Sequence, residues 1–201
     1  YLDSAHPRSV LAVALQRALG VTGERESVDI KLEDDNLSNE RLLERLNAAM
    51  PDDLPVFAVT DPVMKPGKIA YASFVMSVDP EGRDAGALAQ QLTELFHRDS
   101  LVVPKHTKSG FIDFDIRPYL DRVEVCPVEG KVEIRAMLPA GSEMNVNPSL
   151  LLEAVQKELG LDLYTQIRRT NLYDEQFHAC QGGSHSAFQR PNGRAVRRED
   201  F

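Results

Sequence analysis

The chain has 201 residues, 42% of them hydrophobic and 27% charged, which is the composition of a globular protein and excludes a disordered one. No uncharged apolar run, neither Ser9 to Leu15 nor Ile69 to Val78, comes near the ~20 residues that a bilayer-spanning helix needs, so no membrane partner is expected. A formal net charge of −8 argues against broad nucleic-acid binding, which rests on neutralising phosphates, though it leaves room for a local basic face.

The opening Tyr1-Leu2-Asp3-Ser4-Ala5-His6-Pro7 has neither the basic region nor the apolar core of a signal peptide, so a cytoplasmic location is expected. Cys126 and Cys180 lie far apart in no metal-ligand spacing, and a disulfide between them is disfavoured in a reducing compartment. Further along, Ser27-Val28-Asp29-Ile30-Lys31-Leu32 alternates as a half-buried strand does. Ser38 then reads as an N-cap with Glu40 in the first turn, and Leu42, Leu43, Leu46 and Ala49 or Met50 follow at helical spacing until Pro51. Val56-Phe57-Ala58-Val59 reads as a short strand, and Ile69 to Val78 as a longer one ended by the turn Asp79-Pro80-Glu81-Gly82. Leu88, Leu92, Leu95 and Phe96 mark a second helix, and Leu101-Val102-Val103 a strand that Pro104 is expected to stop.

That order is strand, helix, strand, strand, helix, strand. It predicts an α+β fold with a ferredoxin-like βαββαβ sheet over residues 26–108, its helices on one face, after an N-terminal segment 1–25. Residues 109–173 read as a strand-rich βαβ extension, either a second, partial ferredoxin-like lobe or extra strands added to the first sheet. Phe111, Ile112, Phe114 and Ile116 form one strand, and Arg122-Val123-Glu124-Val125 pairs with Val132 to Met137 through a turn at Glu129-Gly130. Asn147-Pro148 starts a helix bearing Leu151, Leu152, Val155 and Leu159, Gly160 ends it, and a last strand runs from Leu163 to Arg168. Apolar periodicity vanishes from Asp174, so 174–201 reads as a flexible tail.

Several segments, taken in order, resemble the radical-SAM-linked protein family. They are His6-Pro7-Arg8, Gly20-Val21-Thr22, Val28 to Leu32, Lys108-Ser109-Gly110, Phe114 to Leu120, and Arg168-Arg169-Thr170-Asn171-Leu172-Tyr173. The resemblance spans roughly residues 5–173 and implies an accessory protein encoded with, or fused to, a radical SAM protein, with RNA or the ribosome as a further partner. The run Leu11 to Leu19 departs from the proline-containing segment that members carry there.

The chain is not itself the radical enzyme, because a [4Fe–4S] cluster needs three converging cysteine thiolates. The phosphate-cradling glycine loop, the His-Glu-x-x-His zinc helix and the Gly-x-Ser-x-Gly elbow are missing from the sequence too. No catalytic residue, metal ligand or cofactor is therefore assigned. The candidate RNA- or anion-binding residues are His6 and Arg8 beside a rigid proline, the basic loop Lys105, His106 and Lys108, and Arg117, Arg168 and Arg169 if their strands lie adjacent. Tyr71, Phe74, Phe111 and Phe114 could stack bases, although strand aromatics more often pack. The function expected is an adaptor that binds a radical SAM partner and presents an RNA or ribosome-associated substrate. Two alternatives are a protein-interaction module without nucleic-acid contact and an RNA-processing enzyme with His6 or His106 as general base.

Overall fold

The computed structural model describes residues 11–13, 20–23, 26–30, 37–61, 66–107 and 109–179. Its centre is set by two strands that each bury every second residue along one face. β4, Tyr71–Val78, buries Ala72, Phe74, Met76 and Val78, and β8, Lys131–Pro139, buries Val132, Ile134, Ala136 and Leu138 on the same side. The two pair antiparallel, Ala72 opposite Leu138 and Val78 opposite Val132. Flanking them are β9, Thr165–Tyr173, antiparallel to β4, and β7, Val123–Val128, antiparallel to β8. β2, Val21–Gly23, adds a parallel edge beside β9, giving the order β2-β9-β4-β8-β7.

Two helices cover the apolar face. α2, Ala85–Phe96, starts where the Asp84 carboxylate accepts the Ala87 N–H at 2.7 Å, and it buries Leu88, Leu92, Leu95 and Phe96. α3, Ser149–Leu159, follows Asn147, whose side-chain oxygen accepts the Ser149 N–H at 3.0 Å, and ends at Gly160 with φ 67°. Leu150, Leu151, Ala154 and Val155 of α3 join the same core as α2 and the sheet. Truncating one of these leucines to alanine would cost about 2–5 kcal/mol.

The fold is α+β, as the periodicity predicts. The path β4-α2-β7-β8-α3-β9, with β8 between β4 and β7 and β4 between β8 and β9, is compatible with a ferredoxin-like arrangement. It runs over residues 71–173, however, and the sheet crosses the boundary expected at 108/109. The reason lies in residues 37–61. α1, Asn39–Ala49, forms with Ser38 as its cap, but none of its residues is buried. Val56 to Val59 is not a strand. Instead the Asn47 side chain accepts the Val56 N–H at 2.7 Å and donates to the Val56 carbonyl at 2.9 Å, doing the work of a neighbouring ladder. β1, Leu11–Val13, and β3, Val28–Ile30, pair only with each other among the described residues.

Two further differences have local causes. β5, Val102–Thr107, runs straight through Pro104 and forms a separate hairpin with β6, Gly110–Asp115. β9 continues past Arg168 to Tyr173 because a bulge beside Ser73 and Phe74 lets it carry a polar run, and the Ser73 and Thr170 hydroxyls meet there at 2.8 Å. Within the expected tail, residues 174–179 turn back so that Ala179 bridges Tyr173, and Asp174 accepts the N–H groups of Gln176 and His178, each at 2.8 Å. The rest of the tail lies outside the described residues.

Candidate functional site

The β5–β6 hairpin is held at its foot by one carboxylate. Asp115 accepts the Leu101 N–H at 2.8 Å, the Arg117 N–H at 3.0 Å and the Ser100 hydroxyl at 2.8 Å. The Leu101 and Arg117 bonds lead in holding its carboxyl below the ordinary aspartate value. On the body side, Lys157 of α3 donates to the Val102 carbonyl at 2.7 Å. Val103 is fully buried, so the hairpin springs from the core rather than from a loop.

Of the basic candidates, Lys105 lies 4.3 Å from the Phe114 ring centroid and donates to the Asn145 carbonyl at 2.8 Å. Phe114 in turn stacks on Tyr119 at 5.6 Å between ring centroids. Arg117 stands in the turn just after β6 and pairs with Asp121 at 2.7 Å. His106 meets the Phe111 ring edge-on at 5.0 Å. These three candidates thus share the hairpin and its foot. Arg168 and Arg169 belong to the other sheet: Arg168 is exposed, whereas Arg169 is buried and pairs with Glu26. His6, Arg8 and Lys108 lie outside the described residues.

What the sequence reading missed is the apolar tip. Phe111 is 74% exposed and Ile112 47%, and they project from opposite faces of β6. A signal was present, since Phe-Ile-Asp-Phe puts apolar residues on both faces of one strand, and among the described residues no second layer buries Phe111 or Ile112. Phe74, by contrast, is buried beneath α2 and α3 and offers no stacking surface.

A family model described as "Uncharacterized protein conserved in bacteria (DUF2344)" matches residues 4–148. The chain belongs to this family. No curated protein and no solved structure matches it. The DUF2344 span takes in Lys105, His106, Phe111, Ile112 and Arg117, and stops before α3, so Arg168 and Arg169 fall beyond it. Among the described residues of this DUF2344 chain, no helix is long and apolar enough to cross a membrane.

A second cluster lies on the sheet face turned away from α2 and α3. Tyr71 and Phe177 have ring centroids 4.8 Å apart, and the Arg122 guanidinium sits 3.6 Å over Phe177. Burial makes Arg122 easier to deprotonate than an ordinary arginine, although Tyr71 opposes the shift. Met137 and Tyr173 are buried beneath it. This cluster anchors residues 174–179 onto the sheet of the DUF2344 chain.

Proposed function

We propose that the chain is a cytoplasmic adaptor that docks a protein partner through the β5–β6 hairpin, the partner being the radical SAM protein that the family resemblance implies. The observation that carries this reading is the exposed pair Phe111 and Ile112 on a firmly rooted projecting strand. The cationic candidates support it less as an RNA surface. Arg117 is matched to a carboxylate, Arg169 is buried against Glu26, and the chain as a whole carries −8.

The test is a pull-down with a tagged radical SAM protein of the kind the resemblance implies, in the presence of ribonuclease. Retention of the wild type and loss by Phe111→Ser with Ile112→Ser is the expected result. Retention that ribonuclease abolishes, together with an RNA mobility shift at low salt lost in Lys105→Glu with Lys108→Glu, would overturn it in favour of an RNA-presenting role.

A further inference from the structure

We infer that the outer edge of β6 is a strand-addition site for an extended segment of a partner protein in which apolar and basic residues alternate. This rests on the protein-docking reading above and adds its mode and chemistry.

The hydrogen-bond register decides which groups face outward. The Ile116 N–H donates to the Leu101 carbonyl at 2.9 Å, one step beyond the β5–β6 ladder. Hydrogen-bonded pairs therefore fall at Val103/Phe114, Lys105/Ile112 and Thr107/Gly110, and the pairs Pro104/Asp113 and His106/Phe111 lie between them. The N–H and C=O groups of Phe111 and Asp113 consequently point away from β5. No strand among the described residues pairs with that edge.

The two edges of the hairpin differ. On β5 the outward edge is closed, because Pro104 has no N–H to offer and the Val102 carbonyl is taken by Lys157. On β6 the outward positions Phe111 and Asp113 each keep an N–H and a carbonyl to offer, and no strand among the described residues occupies them. Both apolar neighbours lie where an added strand would cover them, Phe111 on one face and Ile112 on the other.

Charge selects the occupant. Asp113 is exposed in the middle of the open edge, on the face of Phe111. A lysine or arginine opposite it stabilises a cross-strand pair, and an acidic residue there repels. A second copy of this chain would bring another −8 and a second Asp113 to the same edge, which disfavours self-pairing.

The experiment uses the full chain and two short blocked peptides, one alternating valine and lysine, the other valine and glutamate. Nuclear magnetic resonance reads binding together with the exchange protection of the Phe111 and Asp113 amides. The lysine peptide is expected to bind about tenfold more tightly than the glutamate peptide and to protect both amides. Asp113→Lys should invert that preference. Asp113→Pro repeats on β6 the solution Pro104 provides on β5, removing an outward N–H without touching the β5–β6 ladder, and should abolish binding at an unchanged melting temperature. If that variant loses the hairpin, the wild-type amide protection still decides. Peptide binding without that protection, or binding kept in Asp113→Pro but lost in Phe111→Ser, would leave side-chain docking intact and overturn strand addition. Concentration-dependent dimerisation removed by Asp113→Pro would assign the edge to a second copy and overturn the partner-strand proposal.

Discussion

Arg169 and Glu26 meet at 2.5 Å, tying β9 to the residues just before β3 across 143 positions of sequence. The arginine side chain is 3% exposed and the carboxylate 30%, so the pair keeps a buried charge matched. Removing one member of a buried pair costs several kcal/mol because the other charge is stranded. Since Glu26 is partly solvated, Glu26→Ala should lower stability by about 2 kcal/mol, and Glu26→Gln by less, because the amide still accepts a hydrogen bond. Urea unfolding would show a lower midpoint at unchanged slope. An unchanged midpoint for Glu26→Ala would mean that the pair contributes nothing.

Asp115 gives a pH prediction with a definite sign. Its folded carboxyl titrates below the ordinary value, chiefly through the Leu101 and Arg117 N–H groups, so its contribution is complete above the unfolded value of about 3.9. That contribution is lost as pH falls through the lowered folded value. Asp115→Ala should cost about 2 kcal/mol at neutral pH by orphaning these donors, and the gap to wild type should narrow as the pH falls below about 4. Denaturant midpoints across the acid range would check it. A gap that stays constant with pH would exclude the carboxylate as its origin.

Gly141 follows the end of β8, where a Cβ would stand 2.9 Å from the Ile69 carbonyl oxygen and 3.4 Å from the Ala70 Cα. Both are backbone atoms, and the adjacent Ala140 N–H bonds the Ala70 carbonyl at 2.8 Å, so neither side can yield cheaply. Gly141→Ala should therefore destabilise by about 1–3 kcal/mol, despite the usual entropic gain from replacing glycine. Thermal unfolding checks this, and an increased midpoint would show that the loop relaxes freely.

Much of this frame was legible. β4, β7 and β8 alternate in sequence, α2 buries the stripe expected of it, and α3 keeps its expected start and stop but buries Leu150 and Ala154 where Leu152 and Leu159 were expected. The legible signals are local ones. Strand order is not local, and the βαββαβ path was placed too early because α1 has the same periodicity as α2 yet buries nothing. Pro104 failed as a stop because a proline at a non-hydrogen-bonded edge position loses no ladder bond, and the register that puts it there is invisible in sequence. The second half of β9 hid behind Arg169, Thr170 and Asn171, polar residues that the bulge, the Ser73 hydroxyl and Glu26 make buriable. At the candidate site, Lys105, His106 and Arg117 were found from charge alone. Phe111 and Ile112 read as part of an ordinary strand, since apolar residues on both faces equally suit a strand buried between two layers.

Glu153 on α3 has the opposite sign to Asp115. Burial raises its carboxyl above the ordinary glutamate value. A raised folded value means that the ionised form is the less comfortable one in the native state, so Glu153 subtracts stability at neutral pH. The penalty fades as the pH falls through that raised value, where the folded protein takes up its proton first. Glu153→Gln removes the charge at nearly constant shape and should stabilise the protein by roughly 0.5 kcal/mol at neutral pH, since the side chain is only half-buried. Near pH 3, where both versions are neutral, the variant and wild type should unfold together. Paired melts at the two pH values decide the matter, and a variant less stable than wild type at neutral pH would mean that Glu153 holds a favourable ionic contact instead.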